Sequence, residues 1–249
     1  MRINQLKSYV LVPFIIFAAV LIIYYLNIFN KLMFPNPIIV LKIFFSLFIS
    51  KEMYLDLLLT LYRVILGIII SILIGVSFGV FLGYYNKVYD QFAFIIDFFR
   101  SIPVTALFPL ALLFFGIGNT SKILLAAWVA TLIIIVNTFY GVRHANKAYF
   151  KMAKIYNLSK FYVLSHIVFP AALPSIFSGI RVGVSLVLIV VIVSEMFIGS
   201  VNGLGYSLLN AQLTYNIAKM YAFIIITGLL GYFLNRIFLF LERRIIHWT

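Results

Sequence analysis

Six Asp and Glu residues stand against nineteen Lys and Arg in this 249-residue chain, and cysteine is absent. With so few acids, most chemistry is excluded at once. His144, His166 and His247 have no neighbouring cluster of carboxylates or thiols, so a zinc-type site and its metal cofactor are not expected. Asp90 and Asp97 fall near the ends of apolar runs, the wrong depth for an intramembrane protease. No G-x-x-x-x-G-K-[ST] loop occurs, so the chain cannot cradle a nucleotide phosphate in that way. Two charges remain conspicuous because they interrupt oil: Arg181, and Glu195 at the end of "VGVSLVLIVVIVS". Each is expected either to line or gate a path, or to pair with a neighbour such as Arg63, Asp97 or Arg100. A third feature is one compact basic segment, Val142 to Ile176, holding Arg143, Lys147, Lys151, Lys154 and Lys160 without a carboxylate.

The elements that carry these residues are set by composition. The chain is 65% hydrophobic and 10% charged, against about 45–50% and about 25% for a soluble domain. Too little polar surface exists to cover a water-soluble fold, so lipid is the expected solvent. The 26 Phe and 16 Tyr suit interfacial anchoring. The net charge of +13 lies between apolar runs, which reads as positive-inside bias and not as a nucleic-acid surface.

The expected fold is therefore an all-α integral membrane protein of about six transmembrane helices. The spans read as Tyr9–Leu26, Val64–Tyr85, Ser101–Ile117, Ile123–Val142, Leu173–Phe197 and Met220–Leu241. The third is expected to start nearer Gln91, with Asp97 and Arg100 close to one interface. Distributing the basic residues favours both termini in the cytoplasm of a multi-pass cell-membrane protein. Lys31, Lys42, Lys51, Arg63, Lys122 and Lys219 then fall outside. Residues 35–63 open on Pro-Asn-Pro and mix charge into an apolar pattern, as a helix lying on the outer interface would.

Two local patterns carry structural weight. Gly67, Ser71, Gly75, Gly79 and Gly83 recur every four residues, so one helix face lacks side chains and admits another helix closely. Gly179 and Gly183 repeat the device. Within the basic segment, apolar residues recur at three and four, and Asn157, which tolerates a left-handed backbone, divides two short amphipathic helices. This loop between spans four and five is expected to rest on the cytoplasmic side. Pro170 and Pro174 read as stop and restart signals before the fifth span.

The order of residues in "KMAKIYNLSKFYVLSHIVFP" resembles the EAA loop of permease subunits in binding-protein-dependent ABC importers, E-A-A, three residues, G, nine residues, then I-x-L-P. Lys151, Met152 and Ala153 occupy the E-A-A places, Asn157 the Gly place, and Ile167, Phe169 and Pro170 the closing ones. "TLYRVILG", "RSIPVTALFPLALLFFGIGNTSK", "NTFYGVR", "FPAALPSIFSGIRVGVSL" and "SEMFIGSVNGLGY" look like the nitrate, sulfonate and taurine branch of that family. The resemblance implies an importer permease domain over 60–249, preceded by a membrane helix and an interfacial helix in 1–59. It implies a coupling loop for a cytoplasmic ATPase, with Lys151, Met152, Ala153, Ile155, Tyr156, Asn157, Ile167 and Pro170 as its residues. It further implies an extracytoplasmic substrate-binding protein, a second permease copy, no cofactor, and a small anion or heterocycle as substrate. Lys151 replaces the family's Glu, so any salt bridge made by that acid is absent or reversed here.

Two other readings stay open on the sequence. A membrane coupling subunit of an ECF-type vitamin importer would also present amphipathic coupling helices, though no Ala-Arg-Gly type motif occurs. A membrane enzyme acting on lipid would need the clustered acids and histidines that this sequence lacks.

Overall fold

The computed structural model describes residues 3–144, 153 and 155–247, without the side chains of residues 3–10, 12–14, 86–87 and 89–90. Lys147, Lys151, Met152 and Lys154 of the basic segment lie outside the described residues. What is described is helical, as expected. The helices are α1 (Ile3–Tyr25), α2 (Pro37–Leu47), α3 (Lys51–Tyr84), α4 (Asn86–Ser101), α5 (Phe108–Phe115), α6 (Asn119–Arg143), α7 (Lys160–Phe197), α8 (Leu204–Leu213) and α9 (Ile217–Ile245).

Four of these, α3, α6, α7 and α9, are long and apolar enough to cross a membrane. The pair Gln91–Ser101 and Val104–Phe115 adds a fifth crossing when taken as one span, and is bent by 87°. Among the described residues that makes four or five crossings against the six expected; α1 covers the first expected segment, but its described apolar part, Ile15–Tyr25, is shorter than a span. The third differs in shape: it is broken, not straight. Pro103 removes a backbone donor and drives the residue before it out of the α region. Ile102 accordingly adopts φ −74 and ψ 121, and a short 3-10 turn at Val104–Leu107 precedes α5.

The interfacial segment is also shorter than expected. Asn36 caps α2, its side chain accepting from the Ile38 N–H, and Pro37 opens the first turn. The chain turns at Phe48–Ser50, and α3 then runs 34 residues without a break. Residues 51–63 thus belong to a membrane helix of about 51 Å, and Asp56 and Arg63 are buried instead of lying at an interface.

The core is a layer of three helices with α6 in the middle. The glycine stripe of α3 faces α6 throughout. A Cβ on Gly75 would lie 2.8 Å from Ile134, on Gly79 2.6 Å from Thr138, and on Gly83 2.6 Å from Val142. Each contact advances α6 by the same number of residues as α3, so the two helices are parallel and in constant register. On the other side of α6, α7 runs antiparallel. Gly141 packs on Ser175 and Ala172, Gly179 on Asn137, and Gly183 on Ile134. Helix α9 leans on α7 through Gly231 and Leu188. It is the least buried of the long helices and α6 the most.

The prolines before the fifth span do not act as stops. α7 passes through both Pro170 and Pro174. A π turn at Leu164–Val168, with the Phe169 N–H reaching back to the Leu164 carbonyl, widens the helix just before Pro170. That extra residue per turn accommodates the ring and the missing donor.

Gly79→Ala places a methyl 2.6 Å from Thr138 Cβ and 2.8 Å from the Ile135 carbonyl. It is expected to destabilise the protein by about 1–3 kcal/mol, read as a lowered melting temperature in detergent. Gly228→Ala, with nothing within 4 Å, is expected to leave that temperature unchanged or higher. Equal behaviour of the two variants contradicts the close contact of α3 and α6.

Candidate functional site

α3 and α6 both begin at the end of the bundle where α7 finishes, so their polar residues meet there. Glu195, Arg63, Asp56, Thr60, Ser121 and Lys122 are all buried at this top end. Arg63 Nη1 and Glu195 Oε1 are 2.5 Å apart, with side chains 6% and 0% exposed. The guanidinium Nε donates to Asn119 Oδ1 at 2.9 Å, and Nη1 also donates to the Asn202 carbonyl at 3.1 Å. Glu195 further accepts from Thr60 Oγ1 and from the Gly205 N–H at 2.9 Å. Of the two sequence readings for Glu195, its geometry is that of a paired side chain.

The loop after α7 is shaped around that pair. Gly203 adopts φ +133, and a Cβ there would lie 2.6 Å from Glu195 Cδ and 2.7 Å from Arg63 Nη1. No other residue combines that backbone with that approach. The Gly203 N–H donates to Asp56 Oδ1 at 2.7 Å, the Leu204 N–H to Thr60 Oγ1 at 3.0 Å, and Ser207 Oγ to Asp56 Oδ2. The start of α8 is thereby tied to the face of α3 that carries residues 56, 60 and 63. Lys122 is buried beside them, its Nζ donating to the Gly118 carbonyl at 3.0 Å. Of the partners the sequence offers for Glu195, Arg63 is the one that meets it, while no sequence pattern marks Thr60, Asn119 or Ser207 as members of the cluster. The available signal was that ionisable residues inside apolar helices rarely go unpaired.

Arg181 lies near the middle of α7, about 21 Å along the helix from Glu195. Its Nη1 is 3.5 Å from Glu242 Oε2 on α9, and both side chains are partly exposed. The two charges of the fifth span are therefore far apart, each with its own partner.

The basic segment forms its turn where expected. Asn157 has φ 50, and the Leu158 N–H donates to the Ala153 carbonyl at 3.0 Å. That six-to-one bond around a left-handed residue is a Schellman helix ending. Ser159 then caps the next helix, accepting from the Tyr162 N–H at 3.2 Å. Ala153 is buried in the same apolar cluster as Val142, Val163, Val168 and Ala172, whereas Ile155, Tyr156 and Phe161 are exposed. Ile167 and Pro170 are half-buried in α7.

The break in the bent pair creates a further polar feature. Asp97, Arg100 and Ser101 line a cleft of about 450 Å³ with Phe99, Trp128 and Ile133. Trp128–Ile133 is the middle of α6, so this ion pair stands midway along the bundle and not close to its end, as the sequence had suggested. Reading the third span as straight produced that misplacement.

Residues 71–247 match the family described as binding-protein-dependent transport system inner membrane components. Over 153 residues the chain is 33% identical to a protein of Bacillus subtilis (strain 168) named as an aliphatic sulfonates transport permease, covering 61% of this chain and 55% of that protein. It is 31% identical over 159 residues to the nitrate import permease protein of Synechocystis sp., covering 64% and 58%. The matches thus span somewhat over half the length of these relatives. The fold resembles that of a chain in the inward-facing MetNI methionine ABC transporter, with TM-score 0.61 and 18% identity, covering 81% of this chain and 95% of that one.

Removing one partner of the buried pair leaves a charge without compensation, at a cost of roughly 3–5 kcal/mol. Glu195→Ala and Arg63→Met are each expected to lower thermal stability by that order. The double variant should lose much less than the sum, since neither charge is then stranded. Simple additivity in melts of the four proteins would mean that the two side chains do not interact.

Proposed function

The chain belongs to the inner membrane components of binding-protein-dependent transport systems, and from that membership we propose that it is the permease subunit of an ATP-driven importer. The observation that carries the proposal is the exposed turn at 155–160. It is backed by the most buried layer of the bundle yet presents Ile155, Tyr156 and Phe161 to solvent. Apolar side chains held out on a rigid turn suit insertion into a groove of a cytoplasmic ATPase. A displacement there would pass into α6 and α7 without being absorbed. Residues 60–249 form the permease unit in this reading.

In this reading the turn faces the cytoplasm, both termini lie on the same side, and the Arg63–Glu195 end faces outward. An extracytoplasmic binding protein delivers substrate to that end, and a second copy of the chain completes the path. ATP is hydrolysed by the partner subunits. Arg181, held loosely by Glu242 near the middle of α7, is the gate candidate, whereas Glu195, closed into its pair with Arg63, anchors the outer end. The names of the relatives, a sulfonates permease and a nitrate import permease, support a small anion as substrate, with a heterocyclic solute as the broader class.

Burying a large apolar side chain contributes about 1.5–3 kcal/mol, and an exposed ion pair about 0–1 kcal/mol. Ile155→Asp and Tyr156→Ala are therefore expected to abolish copurification of the ATPase and substrate-stimulated hydrolysis. Lys151→Gln/Lys154→Gln should reduce both only mildly. The reverse ranking, with the lysine variant the damaged one, would indicate that the segment grips anionic lipid instead.

A further inference from the structure

The outward face of α9 carries a pattern that an apolar membrane helix does not require. Leu234 is buried toward the bundle. At 3.6 residues per turn, Arg236 lies about 200° around the helix from Leu234, and Arg243 about 180°. Both therefore stand on the side turned away from α7. Arg243 and Arg244 occupy the last turn. Rings alternate with the cations, Tyr232, Arg236, Phe240 and Arg244 following one another in steps of four. The Arg236 guanidinium lies 5.4 Å from the Tyr232 ring centre, with Nε donating to Tyr232 Oη, and that of Arg244 lies 6.0 Å from Phe240. Tyr232, Phe233, Ile237 and Phe240 are all exposed.

The chain supplies no described acid to this face. Asp56 and Glu195 are closed into the outer cluster, and Glu52 opens α3 at that same end. Asp97 stands at mid-depth with Arg100. Glu242 precedes Arg243 in sequence but lies about 80° around from Leu234, on the side of α7, where Arg181 takes it at 3.5 Å. Arg243 has no partner among the described residues, and Arg244 has its ring alone. The helix dipole favours cations in a last turn, but it accounts neither for Arg236 two turns earlier nor for bare rings between cations. A soluble partner would meet the last turn and leave Phe233 and Ile237 uncovered. A second copy offers no exposed carboxylate at that end among the described residues.

We infer that this face of α9 docks an anionic phospholipid, its phosphate between Arg243 and Arg244 and an acyl chain along Phe240, Ile237 and Phe233. A guanidinium meets a phosphate through two parallel hydrogen bonds. Its stem lies along apolar surface while its head stays at the headgroup level. Arg236, about 10 Å further along the helix, adds to the positive field that holds the lipid. One molecule thus supplies the charge that the last turn lacks and the hydrocarbon that the rings above it need. The inference does not need the importer reading, only that this end of α9 meets one face of a bilayer.

The test titrates the full chain in detergent with phosphatidylglycerol or phosphatidylcholine of the same acyl chains, counting bound lipids and subunits by native mass spectrometry. Each arginine beside an anionic headgroup is worth roughly fivefold in affinity, so phosphatidylglycerol should bind at least roughly tenfold tighter than phosphatidylcholine. Arg243→Gln/Arg244→Gln should lose that preference, and each single variant about fivefold of it. Lys87→Gln/Arg143→Gln removes the same charge from α4 and α6 at the same end of the bundle and should keep the preference. Inorganic phosphate should not displace the lipid, because it brings no chain for the rings. Equal affinity for the two lipids, equal loss in the two double variants, or displacement by phosphate would each overturn the inference. So would a fall in subunit pairing in Arg243→Gln/Arg244→Gln with the lipid count unchanged, which would make the face an interface between copies. An unchanged melting temperature without added lipid shows that the variants are folded, and the comparison of the two lipids on the natural chain needs no variant.

Discussion

The rest of the molecule depends on how closely α3 approaches α6. Lipid tails give no hydrophobic force to bring two apolar helices together, so contact must come from packing. Gly75, Gly79 and Gly83 supply it by removing every Cβ from one face of α3, and the two helices run parallel in constant register. Parallel neighbours impose a return. Between Tyr84 and Asn119 the chain must climb back the full height of the bundle, and it does so as α4, a proline break and α5. The mid-depth cleft with Asp97 and Arg100 follows from that return. The same register sets the first turn of α6 beside residues 60–63 of α3, which is why Arg63 reaches Asn119.

Above that contact, buried charge fixes what apolar packing leaves free. Taking a guanidinium and a carboxylate out of water is costly, and the cost is offset only when the remaining donors and acceptors are met. Here Thr60, Asn119, Asn202 and Gly205 meet them. An apolar stripe would allow α7 to slide along α6 by small steps. The Arg63–Glu195 pair, with the Gly203 backbone closing over it, allows one axial position. Asp56 extends the restraint to α8. The outcome is a stiff top, built from α3, α6, α7 and the 198–207 loop.

The lower end is built differently. Glu242, near the end of α9, reaches up to Arg181 at mid-height of α7 only through a 3.5 Å, partly exposed contact, and the 155–160 turn offers apolar side chains outward. A bundle that is tight at one end and loosely paired at the other has an obvious place to bend. The π turn at Leu164–Val168, directly under the exposed turn, lies on the line along which such movement would enter α7. Motion at this end would reach the mid-depth cleft through α6, which forms one wall of it.

Residue patterns alone determined a good deal of this protein. A four-residue glycine period marks a helix face whatever it faces, so the contact surface of α3 was legible. Asn157 marks a left-handed turn because its own side chain tolerates one, and the turn is there. Membrane solvation was legible from composition, since no soluble surface can be built from so few polar residues. Tertiary structure alone decided the partners. Asp56, Thr60 and Arg63 share a face of α3 in any helix, but only the parallel register with α6 and the return of the 203–207 backbone bring Asn119 and Glu195 to them. Pro103 announced some interruption, yet its 87° bend and the depth of Arg100 depend on where α6 stands. Local pattern fixes what a residue's own backbone and face will do. Which buried charges meet depends on contacts such as Arg63–Glu195, 132 positions apart, and no local period encodes those.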